Sequence, residues 1–323
     1  MSSRRLLVTG VRGFVGRHLT RRAVERGEVV LGAGLDSETT SAVPGVTREW
    51  QADVCDAEVM STVLEQAAPD AIVHLAGQSS AGRSFDQPVE TFRVNALGTL
   101  SLLEAARRAA PRARILIVGS GEVYGPQEPD TRVTEDAPFR PVSPYALSKV
   151  AADSVAEAAA RIWGLHVVRT RSFAHIGAGQ SDRFVLPSIA RQIAEAEIGR
   201  CDPVLRVGNL EVTRDITDVR DVVDAYLLLL AQGRSGEAYN VCRGQAVRLQ
   251  DLVEELRRRA RVPVTVEIDP GRLRPADIPY LVGDPSKMME GTAWAPARPL
   301  GETLEGIMNE WRERARIDRP DRG

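Results

Sequence analysis

The stretch RLLVTGVRGFVGRHL, residues 5–19, decides the fold. Leu6, Leu7 and Val8 run directly into Gly10, Gly13 and Gly16, and a helix-like segment follows without a break. A buried strand that turns on spaced glycines into a helix is the opening unit of a parallel βαβ sheet. The glycines let the backbone turn tightly and approach a ligand, while the amides at the helix N-terminus favour an anion such as a pyrophosphate. Gly10, Arg12, Gly13, Phe14, Val15 and Gly16 are therefore candidate dinucleotide-binding residues. The competing reading of the same glycines is a turn that only packs helix against strand.

The alternation continues outward. EVVLGAG (28–34), DAIVHLAG (70–77), RILIVGS (114–120) and LHVVRTRS (165–172) read as buried parallel strands. Between them lie alanine-rich helical segments such as TLSLLEAARRA (99–109) and YALSKVAADSVAEAAARIWG (145–164), the latter closing on Gly164. The expectation is an α/β fold: a doubly wound parallel Rossmann sheet over residues 1–170, followed by a smaller α/β substrate-binding domain over 171–323. The segment TDVRDVVDAYLLLLAQG (217–233) reads as a helix returning to the first domain, which would then also receive about residues 214–240.

Composition narrows the function. The 323 residues are 43% hydrophobic, enough for a sizeable core, and 42 basic against 44 acidic residues leave a net charge of −2. That balance argues against wholesale electrostatic binding to nucleic acid or to a membrane, and RRRAR (257–261) reads as the solvated end of a helix. Cys55, Cys201 and Cys242 form no CxxC pair, so no disulfide framework and no metal site are expected; they read as small buried residues in a reducing compartment. The N-terminus shows no signal-peptide hydrophobic region, and AYLLLLA (225–231) is too short to span a bilayer. A cytoplasmic protein is expected.

Two further stretches carry chemistry. VGSGEVYG (118–125) sets Ser120 and Glu122 at the end of a strand, and SPYALSK (143–149) sets Tyr145 and Lys149 four residues apart on one helix face. A lysine ammonium beside a phenol favours phenolate and so lowers the tyrosine pKa towards the range of proton transfer. The second strand ends LGAGLD, where many NAD-binding folds carry an acidic residue that holds the ribose hydroxyls. Its absence favours NADP(H), with Arg12 available to a 2′-phosphate; Asp36 reaching the ribose is the alternative, and leaves NAD(H) open.

Taken in order, TGVRGFVG, ADVCD (52–56), HLAG (74–77), NALGT (95–99), Ser120 and the Tyr145/Lys149 pair resemble the extended short-chain dehydrogenase/reductases, the nucleotide-sugar epimerase/dehydratase superfamily. The resemblance implies that Asp53 and Val54 meet the adenine and that Leu75, Ala76 and Gly77 line the cofactor groove. It also implies that Ser120, Tyr145 and Lys149 form a catalytic triad, and that the protein is a homodimer. HIGAGQ (175–180), FVLPSIARQIA (184–194), VGNLEVTRDITDVRD (207–221), YNVC (239–242) and LRPADIP (273–279) resemble the branch that handles GDP-linked 6-deoxyhexoses. That branch implies Arg214 and Arg274 on the diphosphate or ribose, Asp277 on a hydroxyl, Val185 near the base, and Asn209 and Ala174 among the substrate contacts. Ala174 departs from the pattern, in which asparagine precedes the histidine. His175 reads equally as a nicotinamide contact and as a packed loop residue.

The branch contains 4,6-dehydratases and 4-keto reductases, and both begin with hydride chemistry at the sugar C4. A dehydratase also needs a base at C5 and a proton donor for the departing hydroxyl. Glu122 suits the base but is compatible with either reaction. Gly121 stands where the dehydratases carry a polar or acidic side chain, and Pro187 and Ser188 replace their Arg-Lys pair. The expected activity is therefore NAD(P)H-dependent reduction of the C4 keto group of a GDP-4-keto-6-deoxyhexose, to GDP-D-rhamnose or its C4 epimer. The alternatives are a nucleotide-sugar 4,6-dehydratase or epimerase, and a non-catalytic Rossmann binding protein.

Overall fold

The structure is a computed structural model describing residues 3–35, 42–273 and 276–317. Asp36 and Arg274, both named from the sequence, lie outside the described residues. Seven parallel strands make the central sheet. They are β1 (Arg5–Thr9), β2 (Val29–Gly34), β3 (Val46–Gln51), β4 (Ala71–His74), β5 (Arg114–Ser120), β6 (His166–Ser172) and the later strand Ala238–Val241. Their order across the sheet is Ala238–Val241, β6, β5, β4, β1, β2, β3. β1 thus lies between β4 and β2, with Thr9 beside His74 on one side and Ala33 on the other.

Alternation along β1 explains why both faces are covered. Leu6 and Val8 join a cluster with Val30, Val73, Leu227 and Tyr226, whereas Leu7 joins Leu31, Ile72, Met60 and Leu102. Successive side chains of one strand feed two cores, so helices must pack on both sides. The helix Val219–Gln232 supplies much of the first layer and packs beside the first helix, Phe14–Glu25. A separate cluster gathers the helices Val185–Glu197, Leu249–Arg258 and Leu300–Ile317 around the strand Val204–Val207, which pairs with the exposed strand Thr265–Ile268. RRRAR does end a helix, with Arg257 paired to Glu254 and Arg259 to Glu255. The cysteines depart from expectation: Cys242 is buried, but Cys55 is half-buried and Cys201 exposed. No helix among the described residues is long and apolar enough to cross a membrane.

All strands of the sheet run the same way, so their C-terminal ends share one edge, the usual place for a ligand in such a fold. The helix Pro144–Trp163 crosses behind that edge, capped by Ser143, whose Oγ accepts from the Ala146 amide at 3.0 Å. A buried carboxylate fixes its position. Asp153, 3% exposed, accepts from Arg169 at 2.5 Å and from Arg171 at 3.2 and 3.3 Å, both arginines belonging to β6. Arg171 also donates to the Tyr124 hydroxyl at 3.0 Å, and that hydroxyl donates to Asn240 Oδ1 at 2.8 Å. One network therefore ties the helix of Tyr145 and Lys149 to the turn that follows Ser120. Because it takes the shared carboxylate from buried Arg171 and leaves buried Arg169 with the exposed Glu157, Asp153→Asn should cost roughly 3–5 kcal/mol of folding stability. Urea unfolding monitored by circular dichroism measures this, and a loss below about 1 kcal/mol would show that the network is not holding the helix.

Candidate active site

The site is built around a close approach of two strand ends. Gly10 has φ +70°, and a β-carbon there would lie 2.8 Å from the amide nitrogen of Ala76. Only glycine satisfies both the backbone angle and the contact. Thr9 holds the neighbouring strand end: its hydroxyl contacts His74 Nδ1 at 2.8 Å and accepts from the Ala76 amide at 3.2 Å. The β-carbon of any residue at 16 would lie 2.5 Å from the Gly10 carbonyl, so Gly16 allows the first helix to start against the loop. That helix begins after Gly13 with no side chain capping it. Its first-turn amides suit a diphosphate, and the loop is open enough in its backbone for one to approach. The residues present therefore fit a dinucleotide. Phe14 and Val15 form the helix start, with Phe14 edge-on to His18 and stacked on His175 at 6.2 Å.

Arg12 is not directed simply into solvent. Glu49 of β3 takes it as a bidentate partner, Nε to Oε1 at 2.5 Å and Nη2 to Oε2 at 2.9 Å. Asp53 follows β3 and accepts from the Cys55 amide at 2.9 Å and from Arg93 at 3.3 Å. Burial works to raise its carboxyl, but these two donors hold it below the ordinary value. Val54 is buried beside Gly98, whose α-carbon its side chain crowds. Gly77 faces both Asn95 and Lys149: a β-carbon on it would stand 2.8 Å from Asn95 Oδ1 and 3.8 Å from Lys149 Nζ. Asn95 was not singled out by sequence, though the NALGT motif contains it. Its amide donates to the Gln78 carbonyl at 3.0 Å and to Ser148 Oγ at 2.9 Å, joining the groove to the helix beside Lys149.

Ser120, Tyr145 and Glu122 lie close together. The Tyr145 phenol hydrogen-bonds Ser120, and Ser120 Oγ also accepts from the Glu122 amide at 3.2 Å. The expected lowering of the tyrosine is not found. Burial first, and the Glu122 charge second, push the Tyr145 phenol up, against the smaller downward effect of Ser120. Lys149 is half-buried, donates to the Val118 carbonyl at 3.0 Å, and is pulled down to about 8 by desolvation. Both groups thus shift towards their neutral forms, because each loses hydration of its charged form. Tyr145 keeps its proton at neutral pH and is a donor.

Gly121 is enforced by packing. A β-carbon on it would meet the Phe173 ring at 2.9 Å, and one on Gly283 would meet the same ring at 2.6 Å from another side. Phe173 is 4% exposed and stacks on Tyr124. Ala174 is exposed at the start of the short strand Ala174–Ile176, and His175 donates Nδ1–H to the Phe173 carbonyl at 3.0 Å. Burial lowers the His175 pKa, so its ring is neutral and Nε2 is left as an acceptor.

The residues expected at the substrate gather in part. Arg214 donates to Asp277 at 2.9 Å and to the Thr213 and Ile278 carbonyls. Asn209 donates to the other Asp277 oxygen at 3.3 Å. Asp215 instead accepts backbone amides of Arg243, Gly244 and Gly283, which links the Arg214 strand to the Gly283 wall against Phe173. Val185 opens the helix Val185–Glu197 and is packed against its core.

A family described as GDP-mannose 4,6 dehydratase matches residues 7–307. The chain belongs to this family. It is 36% identical to a GDP-6-deoxy-D-mannose reductase of Pseudomonas aeruginosa over 97% of this chain and 99% of that protein. The solved structure of RMD from Pseudomonas aeruginosa complexed with NADPH superposes with a TM-score of 0.84 at 35% identity, covering 97% of this chain and 100% of that one. A dTDP-glucose 4,6-dehydratase, DesIV of Streptomyces venezuelae with NAD bound, gives a TM-score of 0.84 at 27% identity over 96% of this chain and 97% of that one. The fold is that of the extended short-chain dehydrogenase/reductases, as the motifs predicted.

The Lys149 ammonium supplies a titration that can be read directly. Its charge is present below about pH 8 and lost above it, so an anionic dinucleotide should bind more weakly as pH rises through that value. Fluorescence titration with NADPH should show this fall in the unaltered protein and not in Lys149→Met.

Proposed function

We propose that the protein reduces the C4 carbonyl of a GDP-linked 4-keto-6-deoxyhexose, using NADPH or NADH. The observation that carries the choice of reaction is the Gly121–Phe173 contact. A dehydratase needs a proton donor for the departing hydroxyl, and the packed ring occupies the space in which residue 121 would present one. Reduction needs only the groups that the ledge supplies.

A nicotinamide held in the glycine-loop groove would supply the hydride and be oxidised in doing so. The carbon–oxygen double bond becomes an alkoxide, and Tyr145, held protonated by its burial, gives that oxygen its proton. Ser120 Oγ already accepts from the Glu122 amide, so its own hydrogen is available to donate to the same developing negative charge. Lys149 lies where Gly77 opens the groove and holds the cofactor ribose, and its charge stabilises the phenolate left on Tyr145 until solvent returns the proton. Glu122 orients substrate hydroxyls. Arg214, set by Asp277 and two carbonyls, meets the diphosphate, and Asp277 and Asn209 meet a hydroxyl. The guanine base is supported by the resemblance of residues 184–221 and by the relationship to the Pseudomonas reductase. The same relationship supports a cytoplasmic enzyme acting on soluble nucleotide sugars.

The first 170 residues, with the helix and strand between 219 and 241, carry the cofactor in this reading, and the remainder carries the substrate. A second copy of the chain covers the apolar side chains left exposed at Val89, Phe92, Leu97, Leu100, Leu147 and Ile162, on the helical segments between 88 and 163. Light scattering should give the mass of two chains; the mass of one would contradict this.

Glu122 beside Tyr145 favours 4,6-dehydration as the second reading. The experiment separates the two. With GDP-4-keto-6-deoxymannose, the protein should consume NADPH or NADH in a one-to-one ratio with product, and with GDP-mannose it should do nothing. Absence of absorbance loss with either cofactor would overturn the proposal, and turnover of GDP-mannose without net cofactor loss would establish dehydration instead.

A further inference from the structure

The glycine loop carries one charged side chain, Arg12, and a carboxylate from another element answers it. Glu49 lies on β3, in register with Gly32 of β2. A β-carbon at Gly32 would stand 3.3 Å from Glu49 Cγ and 2.7 Å from a methyl of Val11, so glycine at 32 is what lets Glu49 lie across β2 and reach the loop. The two side chains are 15% and 14% exposed and meet through two parallel hydrogen bonds, at 2.5 and 2.9 Å. Gln51 Nε2 donates to the Leu35 carbonyl at 3.1 Å, which ties β3 to the end of β2 and fixes where Glu49 stands.

In this fold the adenosine ribose sits beyond the end of the second strand, and charges there distinguish a 2′-hydroxyl from a 2′-phosphate. Arginine alone would favour the phosphate; a carboxylate alone would favour the hydroxyl and repel the phosphate. We propose that Glu49 sets the cofactor preference by engaging Arg12 at the adenosine ribose and setting its own negative charge beside it, so that the site accepts NADPH and NADH with comparable affinity. The proposal rests on the cofactor reading above and not on the identity of the sugar. Glu49 does not touch the reacting atoms; it acts through Arg12 and through its own charge.

The test is equilibrium binding, read by fluorescence, of NADPH and NADH to the full-length protein in the absence of any sugar nucleotide. For the unaltered protein the two dissociation constants should agree within about tenfold. Glu49→Gln keeps the size and one acceptor but removes the charge, and should tighten NADPH about tenfold while NADH changes less than threefold. Arg12→Gln leaves the carboxylate alone and should weaken NADPH at least tenfold with NADH again little changed. An unaltered NADPH-to-NADH ratio in either variant, or a shift towards NADH in Glu49→Gln, would overturn the proposal. Binding of neither dinucleotide by the unaltered protein would overturn the cofactor reading together with this one. A shifted ratio in a protein that reduces no GDP-linked ketosugar would sustain this proposal while removing the choice of substrate.

Discussion

The buried Asp153 carboxylate is the interaction on which the site's geometry depends. Tyr145 and Lys149 stand on its helix, Arg169 and Arg171 on β6, and Tyr124 on the turn that begins at Ser120. Two guanidiniums on one carboxylate are held in a desolvated place by further partners, here Glu157, the Gly236 and Glu135 carbonyls and the Tyr124 hydroxyl, although Arg169 Nε stays buried without one. The phenol of Tyr145 can meet Ser120 because the helix and the turn share this anchor. Were the helix to slide by a fraction of a turn, the proton donor and the oxygen it serves would no longer face each other.

Burial then determines the chemistry. His74 is driven down to about 3 by desolvation, with the Lys149 charge adding to the effect, and so stays neutral while bonded to Thr9. Lys149 is drawn down to about 8 yet still carries its charge at neutral pH, and Tyr145 keeps its proton. These are consequences of one dry pocket, and they favour a ledge that gives a proton to an alkoxide. Against it, Phe173 seals the side from which residue 121 would otherwise act. The arrangement supplies what a carbonyl reduction requires and lacks, at that position, what an elimination requires.

Much of this was legible in the amino-acid sequence, for identifiable reasons. β1, β2, β4, β5 and β6 announce themselves as apolar runs because both their faces are covered. β3 did not: VTREWQ is an edge strand with its side chains half-buried or exposed, so no apolar run marks it. The strand Ala238–Val241 is four residues long and lies inside a motif read only for its resemblance. The glycine loop, Ser120, Tyr145 and Lys149 are local patterns and were found. Glu49 and Asp153 were not, since a carboxylate in an edge strand or an alanine-rich helix has the look of a solvated residue until its partner, 37 or 16 residues distant, is placed beside it. The direction of the Tyr145 shift was missed for a related reason: adjacency on a helix is visible in sequence, whereas desolvation is a property of the whole fold.

The central claim is that hydride passes from an exchangeable reduced cofactor to the sugar C4 and stays there. A dehydratase moves hydride from C4 to C6 of one sugar through a cofactor that ends as it began. NADPH carrying deuterium at the transferable position of the nicotinamide, incubated with the GDP-linked 4-keto-6-deoxyhexose and the protein, separates these courses by NMR of the product. The account predicts one deuterium per molecule, bound to C4. Product formed without deuterium at C4 would contradict it.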